Sequence, residues 1–190
     1  MSAPAFASPL PRTALVALAS AAAGGLAVLA LMALVSLLGG SPKPTRAAAY
    51  AAPGHAFTIT VPAGWTALRG TALTRLPGSP AAVLERADKR GIVIIRRTPA
   101  LGGSLRTVAR DLTAELRRRL PGFRLVSARL GRVRAGGAFL YSFARAGGGA
   151  AQSLAVTKVG AVTYRIDSIV AGTAPDAARQ AGAIVGSFGP

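Results

Sequence analysis

From Thr13 to Leu38 the chain runs for 26 residues without a charged side chain, almost wholly Ala, Leu, Val, Gly and Met. Wound as a helix at about 1.5 Å per residue, this run exceeds the roughly 30 Å hydrocarbon core of a bilayer. A secretory signal has a shorter apolar region, typically about 7–15 residues, with a small-residue cleavage site close behind it. Ala47-Ala48-Ala49 has that character, but it lies well past the end of the apolar run. The run is therefore expected to be an uncleaved signal anchor: one transmembrane helix over residues 13–38, behind an N-terminal stub of residues 1–12. Gly24 and Gly25 fall mid-span, where lipid-embedded helices tolerate glycine. Arg12 and the N-terminal amine lie on one side, and Lys43 and Arg46 on the other, so positive charge alone does not set the orientation. An apolar run so near the N-terminus resembles an export signal, which places the C-terminal domain outside the cytoplasm at the cell membrane.

Gly39 to Ala56 reads as a Pro/Ala/Gly tether, since Gly39-Gly40-Ser41-Pro42 ends the helix and Pro44 and Pro53 block regular structure. The roughly 135 residues from Phe57 to Pro190 suffice for one domain with an ordinary core and are too few for two. With no cysteine, the chain has neither disulfide staples nor thiolate metal sites.

The formal net charge is +17, and it comes almost entirely from arginine. Two readings stand. A strongly basic surface is the usual footprint of a polyanionic partner, here anionic lipid or acidic wall polymer. A chain rich in Ala, Arg, Gly and Pro, with only three lysines, is also what a high-GC genome produces. Nucleic acid is disfavoured, because the three tyrosines and one tryptophan lie far apart and no basic–aromatic interleaving supplies a stacking platform.

Within the domain, the alternation of Phe57-Thr58-Ile59-Thr60-Val61 predicts a strand with Phe57, Ile59 and Val61 inward. Short strands are expected at Thr71–Leu76 and Ala82–Arg86. Gly91–Ile95, apolar on both faces, reads as a central strand entered through the turn Asp88-Lys89-Arg90-Gly91. Ser104–Leu120 is the clearest helix, with Ser104 as N-cap, Leu105, Val108, Ala109, Leu112, Leu116 and Leu120 on one stripe, and Pro121-Gly122 as the stop. Four strands follow, at Phe123–Leu130, Ala138–Arg145, Gln152–Val159 and Val162–Val170, with turns at Gly136-Gly137, Gly147–Gly149 and Gly160. Phe123–Leu130 does not alternate cleanly, so its inward face stays open. A last helix is expected from a Thr173 cap, with Pro175 and Asp176 in its first turn and Ala177, Ala178, Ala181, Ile184, Val185 and Phe188 on its buried side. This order predicts an α+β domain: an α/β/α sandwich on a mainly antiparallel sheet of six to eight strands.

The opening Phe57-Thr58-Ile59-Thr60-Val61-Pro62-Ala63-Gly64-Trp65 resembles the start of domains related to PsbP, the extrinsic subunit of photosystem II. Similar domains occur in bacterial exported proteins such as the mycobacterial LpqN lipoproteins. The resemblance runs from about Tyr50 to Pro190 and rests mainly on the order of elements. It implies an α/β/α sandwich with an accessory or binding role, and no catalytic residue.

Sites of chemistry are sparse. His55 is the sole histidine, and six acids are scattered along the chain, so a histidine-based metal cluster is excluded. Gly186-Ser187-Phe188-Gly189 falls at a helix end and not on a strand-to-helix turn, which argues against a nucleophile elbow. No Gly-rich loop leads into Lys-Ser or Lys-Thr. Asp167, two residues from Arg165, is expected to form a solvated ion pair. On the Ser104–Leu120 helix, Arg106, Arg110 and Arg117 fall together on one flank, while Asp111 and Glu115 lie near Arg118 and Arg119 on the other, with Glu115 to Arg119 spaced for an ion pair. The basic flank is either a solvated charged face or an anion-binding surface. The function expected is a membrane-anchored, non-catalytic envelope domain that binds a protein or anionic partner, without cofactor or metal. The alternative is an envelope enzyme whose site cannot be recognised from the sequence.

Overall fold

The computed structural model describes residues 46–190 apart from 75, 77, 99–103, 121, 145–148 and 173. Thr13–Leu38 lies outside the described residues; among those described, no helix is long and apolar enough to cross a membrane. The described residues form nine strands and three helices in the order β1 (Ala48–Ala51), β2 (Thr58–Val61), β3 (Trp65–Ala67), α1 (Thr71–Thr74), β4 (Ala82–Arg86), β5 (Gly91–Thr98), α2 (Leu105–Arg119), β6 (Arg124–Val133), β7 (Gly136–Ala144), β8 (Ala150–Val159), β9 (Val162–Ala171) and α3 (Pro175–Gly186).

Seven strands form one sheet in the order β3-β4-β5-β9-β8-β7-β6, and every neighbouring pair is antiparallel. The chain leaves β5 through α2, starts again at the far edge with β6, and returns by a meander that closes against β5. β1 and β2 form a separate antiparallel hairpin. The expected tether thus does not reach Ala56. From Ala48 the chain is already a strand, with Tyr50 and Ala52 buried, because the alanines there pair with β2 through their backbones and need no apolar pattern of their own.

One face of the sheet packs against α3 and the β1–β2 hairpin around Phe57, Tyr164, Ile166, Ile184 and Phe188. Phe57, Tyr164 and Phe188 meet with ring centroids 4.7–5.3 Å apart. The other face carries two clusters. Leu112, Leu116 and Leu120 of α2 lie on Tyr141, Phe143, Leu154 and Val156, while Leu68 and Leu76 lie on Val83, Ile92 and Ile94. The result is helix, sheet, helix in three layers, as the sequence predicts.

Local signals explain the element ends. Ser104 accepts a hydrogen bond from the Thr107 amide as N-cap of α2. In Pro62-Ala63-Gly64-Trp65 the Trp65 amide donates to Pro62 O at 3.1 Å, and Gly64 takes the positive φ of +80° that this tight turn requires. Four expectations are corrected. Thr71–Leu76 is not a strand: Thr71–Thr74 is one turn of helix. The β6–β7 hairpin turns at Arg134-Ala135, one step before Gly136-Gly137, which open β7. The N-cap of α3 is Ala174, without a side-chain cap bond, while Thr173 lies outside the described residues. Ala178 is exposed, since the side of α3 that faces the sheet carries Ala177, Ala181 and Ile184, with Val185 partly buried beside them.

Leu112 is buried between α2 and the sheet. Leu112→Ala is expected to cost about 2–5 kcal/mol in urea denaturation, and a loss below about 1 kcal/mol would place the stripe at the surface.

Candidate functional site

Arg106, Arg110 and Arg117 are all exposed on α2. The last lies eleven positions after the first, about 16 Å along the axis. They share a flank, but the flank is not purely basic: the Arg110 Nε donates to Asp111 Oδ1 at 3.2 Å. Adjacent residues on an exposed helix meet this way because the long guanidinium stem reaches back around the barrel of the helix. On the other flank Glu115 is buried and bonds Arg118, one turn away, and the Arg119 side chain lies outside the described residues.

Asp167 departs further from expectation. It is not solvated: Asp167 and Arg165 are each 8 % exposed. The Arg165 Nε and Nη2 donate to Asp167 Oδ1 at 2.8 and 2.6 Å, and the Arg96 Nη1 donates to Oδ2 at 3.3 Å from the neighbouring strand. Burial lowers the Arg96 pKa, against which Asp167 raises it. The register of β5 and β9 makes this cluster, placing Arg96 opposite Arg165 so that one carboxylate must serve two guanidiniums. It is a buried structural tie between two apolar clusters.

His55 packs against Phe57 and Tyr164, with centroids 5.7 and 6.2 Å away. Burial, and next the charge of Arg97, hold its imidazole below the ordinary 6.5. Ser187 is engaged, its hydroxyl donating to Ile184 O and accepting from the Thr60 amide, each at 2.8 Å. Neither residue has the surroundings of a catalytic pair. Among the described residues no cluster of His, Asp and Glu is placed to hold a metal.

The open site lies elsewhere, on the α3 side of the sheet beside the last turns of that helix. A groove of about 370 Å³ has Ser127, Ser142, Ser153 and Leu140 in its floor and Arg129 and Arg132 beside them. Gly182, Val185 and Gly186 of α3 form its wall, and a Cβ on either glycine would meet nothing within 4 Å, so the helix leaves the space open. The serines form a row. Ser127 stands opposite Ser142, Ser142 opposite Ser153, and Ser153 opposite Ser168, across four neighbouring strands. At about 4.8 Å between strands the row is about 14 Å long. Ser153 and Ser168 share a hydrogen bond of 2.6 Å at its buried end, while Ser142 is half-buried and Ser127 exposed. Among the described residues, Arg129 and Arg132 have no carboxylate partner. The lining offers hydroxyls and guanidiniums but no carboxylate or imidazole. A hydroxyl with no base in reach stays a weak nucleophile, so these groups suit recognition of a polar or anionic ligand.

None of these serines is conspicuous in the sequence. Each lies in a different strand, and only the register aligns them. The one available signal is a serine between two aromatic residues, Tyr141-Ser142-Phe143, which marks a strand position facing away from the aromatic side.

An all-antiparallel seven-stranded sheet, with a crossover helix on one face and a C-terminal helix on the other, defines the class as an α+β sandwich. No protein-family model and no curated protein matches the sequence. The fold is PsbP-like and LpqN-like. Cyanobacterial PsbP (CyanoP) from Synechocystis sp. PCC 6803 superposes with a TM-score of 0.57 at 12% identity, covering 80% of this chain and 98% of that one. LpqN, involved in cell envelope biogenesis of Mycobacterium tuberculosis, superposes with a TM-score of 0.50 at 14% identity, covering 80% and 87%.

Proposed function

We propose that this chain is a single-span, membrane-anchored envelope module that binds a protein or anionic partner and performs no catalysis. The groove carries this reading: it gathers a serine row and two arginines without carboxylate partners, and its lining has no acid–base couple. The apolar run at Thr13–Leu38 supplies the anchor and the export signal. A fold shared with an envelope-biogenesis protein of a mycobacterium agrees with that location.

The test joins topology to contact. Protease added to intact protoplasts is expected to remove the domain, and protection until the membrane is broken would reverse the orientation. A photocrosslinker at Ser142, in the same intact membranes, is expected to give adducts that the same group at exposed Arg90 does not. Equal labelling from both positions would remove the groove from the reading.

A second reading concerns the α2 flank, and the early start of β1 favours it. With β1 beginning at Ala48, nine residues, Gly39–Ala47, lie between the apolar run and the domain. Nine residues of any flexible coil have a root-mean-square reach of about 15–18 Å, short enough to keep a domain near the membrane surface. Each arginine near an anionic leaflet contributes about 1 kcal/mol, so Arg106, Arg110 and Arg117 would give a weak attraction amplified by tethering. Because the chain lacks cysteine, one environment-sensitive label at Ala114→Cys reports this contact in proteoliposomes of the full chain. Its signal is expected to shift in anionic but not neutral lipid, and most of the shift should vanish near 1 M salt, where the Debye length is about 3 Å. Reversing the three arginines to Glu should abolish it, whereas reversing Arg90, Lys158 and Arg179 should not. Equal losses would assign the attraction to diffuse net charge.

A further inference from the structure

β6 is an edge of the sheet, and among the described residues most of it is uncovered: only Val133, in the α3-side core, and Leu125, against the α2 cluster, pack inward. Of its ten residues only Val133 is buried, and seven are exposed. It is also the long edge; β3, at the opposite end, has three residues. A strand so placed presents unpaired backbone N–H and C=O groups along its outer side, which is a template for another strand. Proteins commonly blunt such edges with charge and bulges, and β6 has both. Its bulge, however, sits between Leu125 and Ser127, so the pairing from Ser127 to Val133 is regular. The strand also keeps Val126 and Leu130, 58 % and 56 % exposed, the two exposed large apolar side chains among the described residues. An edge built only for solvation would not hold them there.

The charge on this edge selects its occupant. Between Arg124 and Arg134 the chain has four arginines and no acid. Arg134 is tied down, its Nη2 donating to Thr58 O at 3.1 Å and Gly189 O at 2.9 Å. Arg124, Arg129 and Arg132 are exposed, and no carboxylate among the described residues pairs with them. A second copy of this chain, paired β6 to β6, would bring arginines against arginines across the seam, which is destabilising. An acidic partner strand would meet complementary charge.

We infer that β6 and the serine groove beside it form one docking surface for an extended, acidic segment of a protein partner, which adds to the sheet as an eighth strand. The inference rests on the reading of this chain as a binding module and names the partner's chemistry. Main-chain bonds to the free edge supply affinity, and alternate side chains supply selectivity. Ser127 and Arg129 share the β6 face that continues into the groove, so acidic side chains on that face of the added strand meet Arg129 and the serine hydroxyls. Apolar side chains on its other face lie beside Leu130, itself opposite Phe139 of β7.

The test uses the full chain in nanodiscs of neutral lipid and a peptide alternating Glu and Val, matched in length to β6. Amide hydrogen exchange is expected to slow across 124–133 when the peptide is added. Arg129→Glu with Arg132→Glu, both at exposed positions, should weaken binding about tenfold or more, while Arg90→Glu with Lys158→Glu, also exposed, should change it by less than about twofold. Leu130→Asp is an independent variant expected to weaken it as well. A Lys–Val peptide that binds equally well would overturn the acidic preference. Binding with protection outside β6 would overturn strand addition while leaving a binding module. Failure of the acidic peptide to bind would overturn the proposed occupant, and crosslinking from Ser142 decides the parent reading separately. Self-association of the chain through β6, without peptide, would make a second copy the occupant.

Discussion

Asp167→Ala is expected to destabilise the domain by about 3–5 kcal/mol, more than an exposed ion pair, at about 0–1 kcal/mol, can account for. The carboxylate is the shared acceptor of Arg165 and Arg96, at 2.6–2.8 Å and 3.3 Å. Removing it leaves two guanidiniums facing each other across neighbouring strands, largely out of water. Asp167→Asn keeps the shape and one acceptor but not the charge, and should fall between wild type and alanine. Replacing the cluster as a whole by apolar residues of similar volume should recover much of the loss, because the desolvation cost disappears with the charges. Urea denaturation of the full chain in micelles measures all three. A loss below about 1 kcal/mol for Asp167→Ala would mean that water reaches the cluster and that its burial contributes nothing.

Trp65→Ala is expected to have a loss of comparable size, about 3–5 kcal/mol. The ring is fully buried at the start of β3, and its Nε1 donates to Gln180 Oε1 of α3 at 2.8 Å, joining the first edge strand to the last helix. Gly91 completes the slot. A Cβ there would lie 2.8 Å from the ring's Cη2, so β5 passes the indole only without a side chain. Gly91→Ala should therefore cost about 1–3 kcal/mol by overpacking. In the background of Trp65→Ala the same substitution should cost much less, since the atoms it would strike are gone. Additive losses in this double-mutant cycle would show that Gly91 is needed for some reason other than the ring.

Much of the scaffold was legible because its signals are local. The strand at Phe57–Val61, the Pro62–Trp65 turn, the Ser104 cap and stripe of α2, and the four-strand meander each depend on residues within a few positions of one another. So does the three-layer class, which follows from the order of elements. Thr71–Thr74 misled because so short an apolar run carries no clear period. β1 was hidden because Ala48, Ala49 and Ala51 have no pattern, and the strand exists only through its pairing with β2. β6 resisted assignment of an inward face for a physical reason: as an uncovered edge strand with a bulge, it has hardly any inward face.

The candidate site belongs to the second kind of information. By itself the sequence determined the apolar run long enough to span a bilayer, the excess of arginine, the lack of thiols, the single histidine and the periodic segments that build the sandwich, because composition and short-range periodicity are properties of neighbours along the chain. Only the tertiary structure decided that Ser127, Ser142, Ser153 and Ser168 stand in one row, that Arg96 and Arg165 share a buried Asp167, and that Arg129 and Arg132 lie beside an open groove on a free edge. Strand register sets all three. A slip of one residue would turn each of these side chains to the opposite face, and register comes from packing across the whole sheet.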